Sequence, residues 1–118
     1  MAQPLRLLVP RLRKVPRGFK GPIQQRFERF HLLNPGIYDL IVNVARDLKE
    51  RGFSRCGMKF IFERLRWLYA LETQGEEFKL SNDFTAFYAR LVMHREPELR
   101  GFFKLREQRI EYDPSSTR

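Results

Sequence analysis

The sequence predicts an all-α fold, a compact bundle of four to five helices with an extended basic arm at its N-terminus. Three observations carry that expectation. Met58, Ile61, Phe62, Leu65, Leu68 and Tyr69 alternate threes and fours, which places them on one face of a helix. Phe84, Phe87, Tyr88, Leu91 and Val92 follow the same rule further along the chain. No two stretches alternate apolar and polar residues as paired strands do. At 118 residues the chain fits one domain with a core of its own, and eleven Phe, four Tyr and one Trp supply bulky packing groups.

Residues 1–21 form the expected arm. Pro4, Pro10, Pro16 and Pro22 recur every six residues and exclude a helix interior, so this part reads as extended or disordered when free. Residues 22–111 read as a single helical domain. Its first helix runs from Pro22 or Ile23 to Leu33, with Phe27, Phe30 and either Leu33 or His31 facing inward. Asn34 and Pro35 then suit the N-cap and first position of a second helix, with Ile37, Leu40, Ile41, Val44, Ala45 and Leu48 as its buried stripe. Gly52 stops it.

The third helix is expected to start at once, capped by Ser54, and to run to Leu71. Phe60, Trp67 and Leu71 give it a second apolar edge, so it reads as the central helix, surrounded on several sides. Gly75 marks a turn, and Phe78-Lys79-Leu80 reads as a short extended piece pinned to the core. Ser81 or Asn82 caps a fourth helix. Glu96-Pro97 opens a last helix through Leu99, Phe102, Phe103 and Ile110, and residues 112–118 are expected to fray.

Charge is where function becomes legible. The net charge is +9. Arg6, Arg11, Arg13, Lys14, Arg17 and Lys20 fall in the first twenty residues without a single acid, so the excess is concentrated in the arm. Such asymmetry points to a polyanionic partner, nucleic acid before membrane and DNA before RNA, through counterion release. The competing reading is solubility alone. The second and third helices, Ala45 to about Arg66, are a candidate helix-turn-helix, with Gly52 at the turn and Phe53 after it. Leu48 departs from that pattern, since close helix approach usually wants alanine there. In such a unit Ser54, Arg55, Lys59 and Arg66 line the side that meets nucleic acid, and Glu63 among them repels phosphate. A plain helical hairpin with a solvated stripe, Lys59 pairing with Glu63, is the alternative. Lys79 and Asn82, near the start of the fourth helix, form a second candidate surface, for which capping is the competing role.

Other chemistries find little support. His31 and His94 lack a nearby ligand pattern, so no metal set is legible. There is no glycine-rich phosphate loop and no nucleophile motif, so neither catalytic residues nor a cofactor is expected and the protein reads as non-enzymatic. Cys56 is the single cysteine, which excludes an intramolecular disulfide and suggests a reducing compartment. No apolar run reaches the length of a membrane span, and no secretory signal is legible.

The stretches HLLNPGIYDLI, RGFSRCGMKFIFERLRW, FKLSNDFTAFYARLVM and EPELRGFF together resemble a family of small uncharacterised phage and prophage proteins. The resemblance covers roughly residues 27–109 and leaves out the arm. It implies a cytoplasmic protein of a bacterial host cell, acting on DNA or on a host protein, with no activity attached. Ser81 stands where a second asparagine belongs to the pattern. Two functions therefore compete: a nucleic-acid-binding accessory or regulatory protein, and an interaction module that inhibits or redirects a host enzyme. The oligomeric state is not legible.

Overall fold

A computed structural model describes residues 22–72, 80–104 and 112–118. The described elements are helical: α1 (Ile23–Leu33), α2 (Pro35–Glu50), α3 (Met58–Glu72) and α4 (Thr85–Arg95), with short 3-10 turns at Asn82–Phe84, Pro97–Leu99 and Pro114–Ser116. The arm of residues 1–21, the piece around Phe78 and Lys79, and Ile110 lie outside the described residues.

The core follows the periodicities closely. All six apolar residues of the first repeat, Met58 to Tyr69, are buried, as are all five of the second, Phe84 to Val92. Phe27 is the hub that joins α1 to α4. Its ring stacks on Phe87 at 5.2 Å and meets Tyr88 edge-on at 4.8 Å, Phe84 at 5.9 Å and Tyr112 at 5.9 Å. Such pairs add to what burial alone contributes. His31, rather than Leu33, completes the buried face of α1.

Centrality belongs to α4, not to α3. The fourth helix packs against α2, α3 and all three 3-10 turns, and it keeps Phe87, Tyr88, Ala89, Leu91 and Val92 out of solvent. The third helix is a wall of the bundle. Its second apolar edge, Phe60, Trp67 and Leu71, faces outward. The sequence could not separate these cases, since an apolar edge looks the same whether or not a neighbour covers it.

Asn34 sits at the N-cap position of α2, yet makes no side-chain cap there. Its Nδ2 instead donates back to the carbonyl oxygen of Phe30, 3.2 Å away, closing α1. Gly52 ends α2 as expected, at φ +101°, a conformation that costs other residues dearly.

Two further expectations are corrected. The third helix does not begin after Ser54 but only at Met58, because the intervening backbone is drawn into a bridge with another part of the chain. The last helix does not form across residues 97–104: Pro97–Leu99 makes one 3-10 turn, and Gly101 at φ +75° then swings the chain away. The residues of the C-terminal tail make contacts of their own. Asp113 accepts from the Ser115 N–H at 3.0 Å, and Thr117 is buried with its carbonyl taking a 2.9 Å bond from Arg95. Tyr112 and Thr117 join hydroxyls at 2.6 Å.

Candidate nucleic-acid interface

Two irregular segments, far apart in sequence, meet at one end of the bundle. The Cys56 N–H donates to the Phe102 carbonyl at 2.9 Å, and the Lys104 N–H donates to the Cys56 carbonyl at 3.0 Å. These two bonds form a parallel bridge between Cys56 and Phe103, the isolated β-contact among the described residues. Cys56, Phe102 and Phe103 turn into the core, and the rings of Phe102 and Phe103 meet edge-on at 5.4 Å. Burial of the apolar members fixes both segments, so their polar neighbours are left outside.

Those neighbours are cations. Arg55 and Lys104 flank the bridge, Lys59 lies in the first turn of α3, and Arg100 immediately precedes Gly101; all four are exposed. None of the four has an acidic partner among the described residues. The acids elsewhere are largely engaged. Asp47 pairs with Arg51 at 3.0 Å, and Glu63 with Arg66 at 2.6 Å. Glu96 and Glu98 both hold Arg46, at 2.8 Å and 2.6 Å. Tyr38 also donates to Glu96 at 2.6 Å, and Lys49 to the Glu98 carbonyl, so this network locks α2 to the turn at Pro97. A bond from the backbone N–H of Glu98 itself, and then the Arg46 guanidinium, hold the Glu98 carboxyl below its ordinary range.

The sequence-predicted residues divide accordingly. Ser54, Arg55 and Lys59 come together at the bridged end, and Ser54 is exposed there rather than capping a helix. Arg66 lies apart and half-buried. It donates to the Leu80 carbonyl and, at 2.7 Å, to Asn82 Oδ1, while pairing with Glu63. Arg66 and Asn82 thus clasp α3 to the start of α4. Glu63 is taken by Arg66, so the Lys59–Glu63 pair of the alternative hairpin reading does not form. Ser81 caps the next turn by accepting from the Asp83 N–H at 3.1 Å. Arg6, Arg11, Arg13, Lys14, Arg17, Lys20 and Lys79 lie outside the described residues.

Arg100 and Lys104 escape a reading of the sequence. They sit in a segment expected to be helical, and no local pattern announces that it will pair with residues near 56. The connection between α2 and α3 runs over residues 51–57, against roughly three to four residues in a helix-turn-helix. The Cys56 thiol, buried beneath this end, is pushed up by desolvation, against a smaller opposing effect of the Lys104 charge. It is therefore a packing group at neutral pH rather than a nucleophile.

Among the described residues no group of three or more His, Cys, Asp or Glu is placed to hold a metal. No described helix is long and apolar enough to cross a membrane. Fold and surface together define an all-α protein with a set of exposed cations that form no ion pair among the described residues. Comparison with family models, with curated proteins and with solved structures finds no match.

Proposed function

We propose that this is a small non-enzymatic nucleic-acid-binding protein, DNA before RNA, serving as an accessory or regulatory factor of phage or prophage type. The phage setting rests on the motif resemblance alone. The observation that carries the binding reading is the set Arg55, Lys59, Arg100 and Lys104, gathered around a core-anchored bridge and without an ion pair among the described residues. Cations left without partners on a fixed scaffold attract phosphate and gain by releasing condensed counterions. The six cations among residues 1–20 extend the same chemistry along a backbone.

The test is an electrophoretic shift of a labelled duplex across a salt series. If all ten of these cations engage phosphates, the log–log slope approaches about −9. Replacing Arg55 and Lys104 by alanine lowers its magnitude by roughly 2. Absence of binding to duplex, single-stranded DNA and RNA alike at low salt, or binding indifferent to salt, removes the proposal.

A further inference from the structure

The outer face of α3 carries large aromatic groups that the core does not use. Phe60 is 55% exposed and Trp67 51%, and Phe53, just ahead of the bridge, is 46% exposed. A soluble surface seldom leaves such groups uncovered side by side. Positions 60, 64, 67 and 71 follow one another at helical spacing, so Phe60, Arg64, Trp67 and Leu71 form a single stripe. Arg64 already lies over the indole, its guanidinium carbon 4.5 Å from the ring centroid. Lys59 stands beside Phe60 at the end of the stripe nearest the cationic bridge. Glu63, on the same helix, pairs with Arg66 at 2.6 Å.

We infer that this face takes single-stranded nucleic acid, bases stacking on Phe60 and Trp67 and phosphates meeting Lys59 and Arg64. The inference rests on the nucleic-acid reading above and narrows its ligand. The cations beside the stripe, Lys59 and Arg64, complement a polyanion. A duplex keeps the faces of its bases stacked on one another, so it has nothing to lay on an exposed ring. An unpaired strand offers both a phosphate chain and open base faces, which is the combination this stripe matches. Phe60 and Trp67 are about 10 Å apart along the helix axis, a span that bases a few nucleotides apart can bridge.

Trp67 is the only tryptophan, so its fluorescence reports on this face directly. The full chain is titrated with oligothymidylate, with a duplex of equal length, and with an acidic amphipathic peptide. The expected result is saturable quenching by the single strand at modest salt. By anisotropy of a labelled strand, Phe60→Ala and Trp67→Ala each weaken single-strand binding by about fivefold or more, with duplex affinity nearly unchanged. Trp67→Phe retains most of the affinity. Both positions are exposed, and circular dichroism verifies that each variant is folded. Binding that ignores both aromatic substitutions, or that loses single strand and duplex equally, overturns the stacking inference and leaves the cationic reading standing. Failure of every nucleic acid at low salt sinks both, and quenching by the acidic peptide alone assigns the face to a protein partner instead.

Discussion

Cys56 and Phe103, 47 positions apart in the chain, lie side by side in a two-bond parallel bridge with their side chains in the core. Everything cationic at that end is placed by this contact. The turn that delivers Phe103 depends on Gly101 at φ +75°, and a Cβ there would meet no atom within 4 Å. Gly101→Ala therefore carries a backbone penalty and no steric one. It should lower stability by about 1–2 kcal/mol, measured by urea unfolding. It should also weaken duplex binding, because Arg100 and Lys104 lose their placement. Unchanged stability would show that the turn does not depend on glycine.

Arg66 and Arg55 should separate cleanly on mutation. Arg66 holds the Leu80 carbonyl, Asn82 and Glu63 at once. Arg66→Ala should destabilise the fold by about 1–3 kcal/mol, since hydrogen bonds to charged groups are the stronger kind. Arg55 is exposed, and Arg55→Ala should stay within about 0.5 kcal/mol while reducing the salt dependence of binding. Equal stability losses at the two positions would contradict this division of labour.

Tyr88 is fully buried, and its hydroxyl has no hydrogen-bond partner among the described residues. Burial pushes the phenol well above its ordinary range. Removing an unsatisfied buried hydroxyl while keeping the ring should help the fold. Tyr88→Phe is expected to raise stability by about 1 kcal/mol, seen as a higher midpoint in thermal unfolding. A loss of stability would reveal a partner for the hydroxyl.

His31 is buried among the rings of Phe27, Tyr38 and Tyr88. Desolvation, then the nearby charge of Arg95, hold its pKa below the ordinary 6.5; a bond to the Arg118 backbone and the charge of Asp39 oppose them more weakly. The imidazole is thus neutral in the fold, and on acidification the unfolded chain takes up the proton first. Stability contributed by His31 is complete above about 6.5 and falls as the pH drops from there towards the lowered native value. The lowered carboxyls of Glu98 and Asp113 lose their contributions in a separate window, below their ordinary values of 4.5 and 3.8. Unfolding measured between pH 7.5 and 5 should slope downward in the native chain and flatten in His31→Gln, roughly by the contribution of one proton. Identical slopes would mean that another group governs the acid response.

The sequence by itself determined that α1 to α4 exist, and most of the core. Apolar residues at threes and fours have one economical burial, and Met58 to Tyr69 and Phe84 to Val92 found it. Gly52 marked a boundary because glycine adopts φ +101° without strain, and Pro35 because its missing N–H suits a helix start. Of the candidate surface, Ser54, Arg55 and Lys59 could be picked out from their charge and their place beside a helix start. Tertiary structure alone decided which apolar edge of α3 stays open, whether Arg66 is a contact or a clasp, and that Arg100 and Lys104 join Arg55. Each of these turns on a neighbour distant in the chain, Phe103 beside Cys56 or Leu80 beside Arg66, and periodicity carries no information about such neighbours. Local spacing sets which face of a helix is greasy; only packing sets what that face meets.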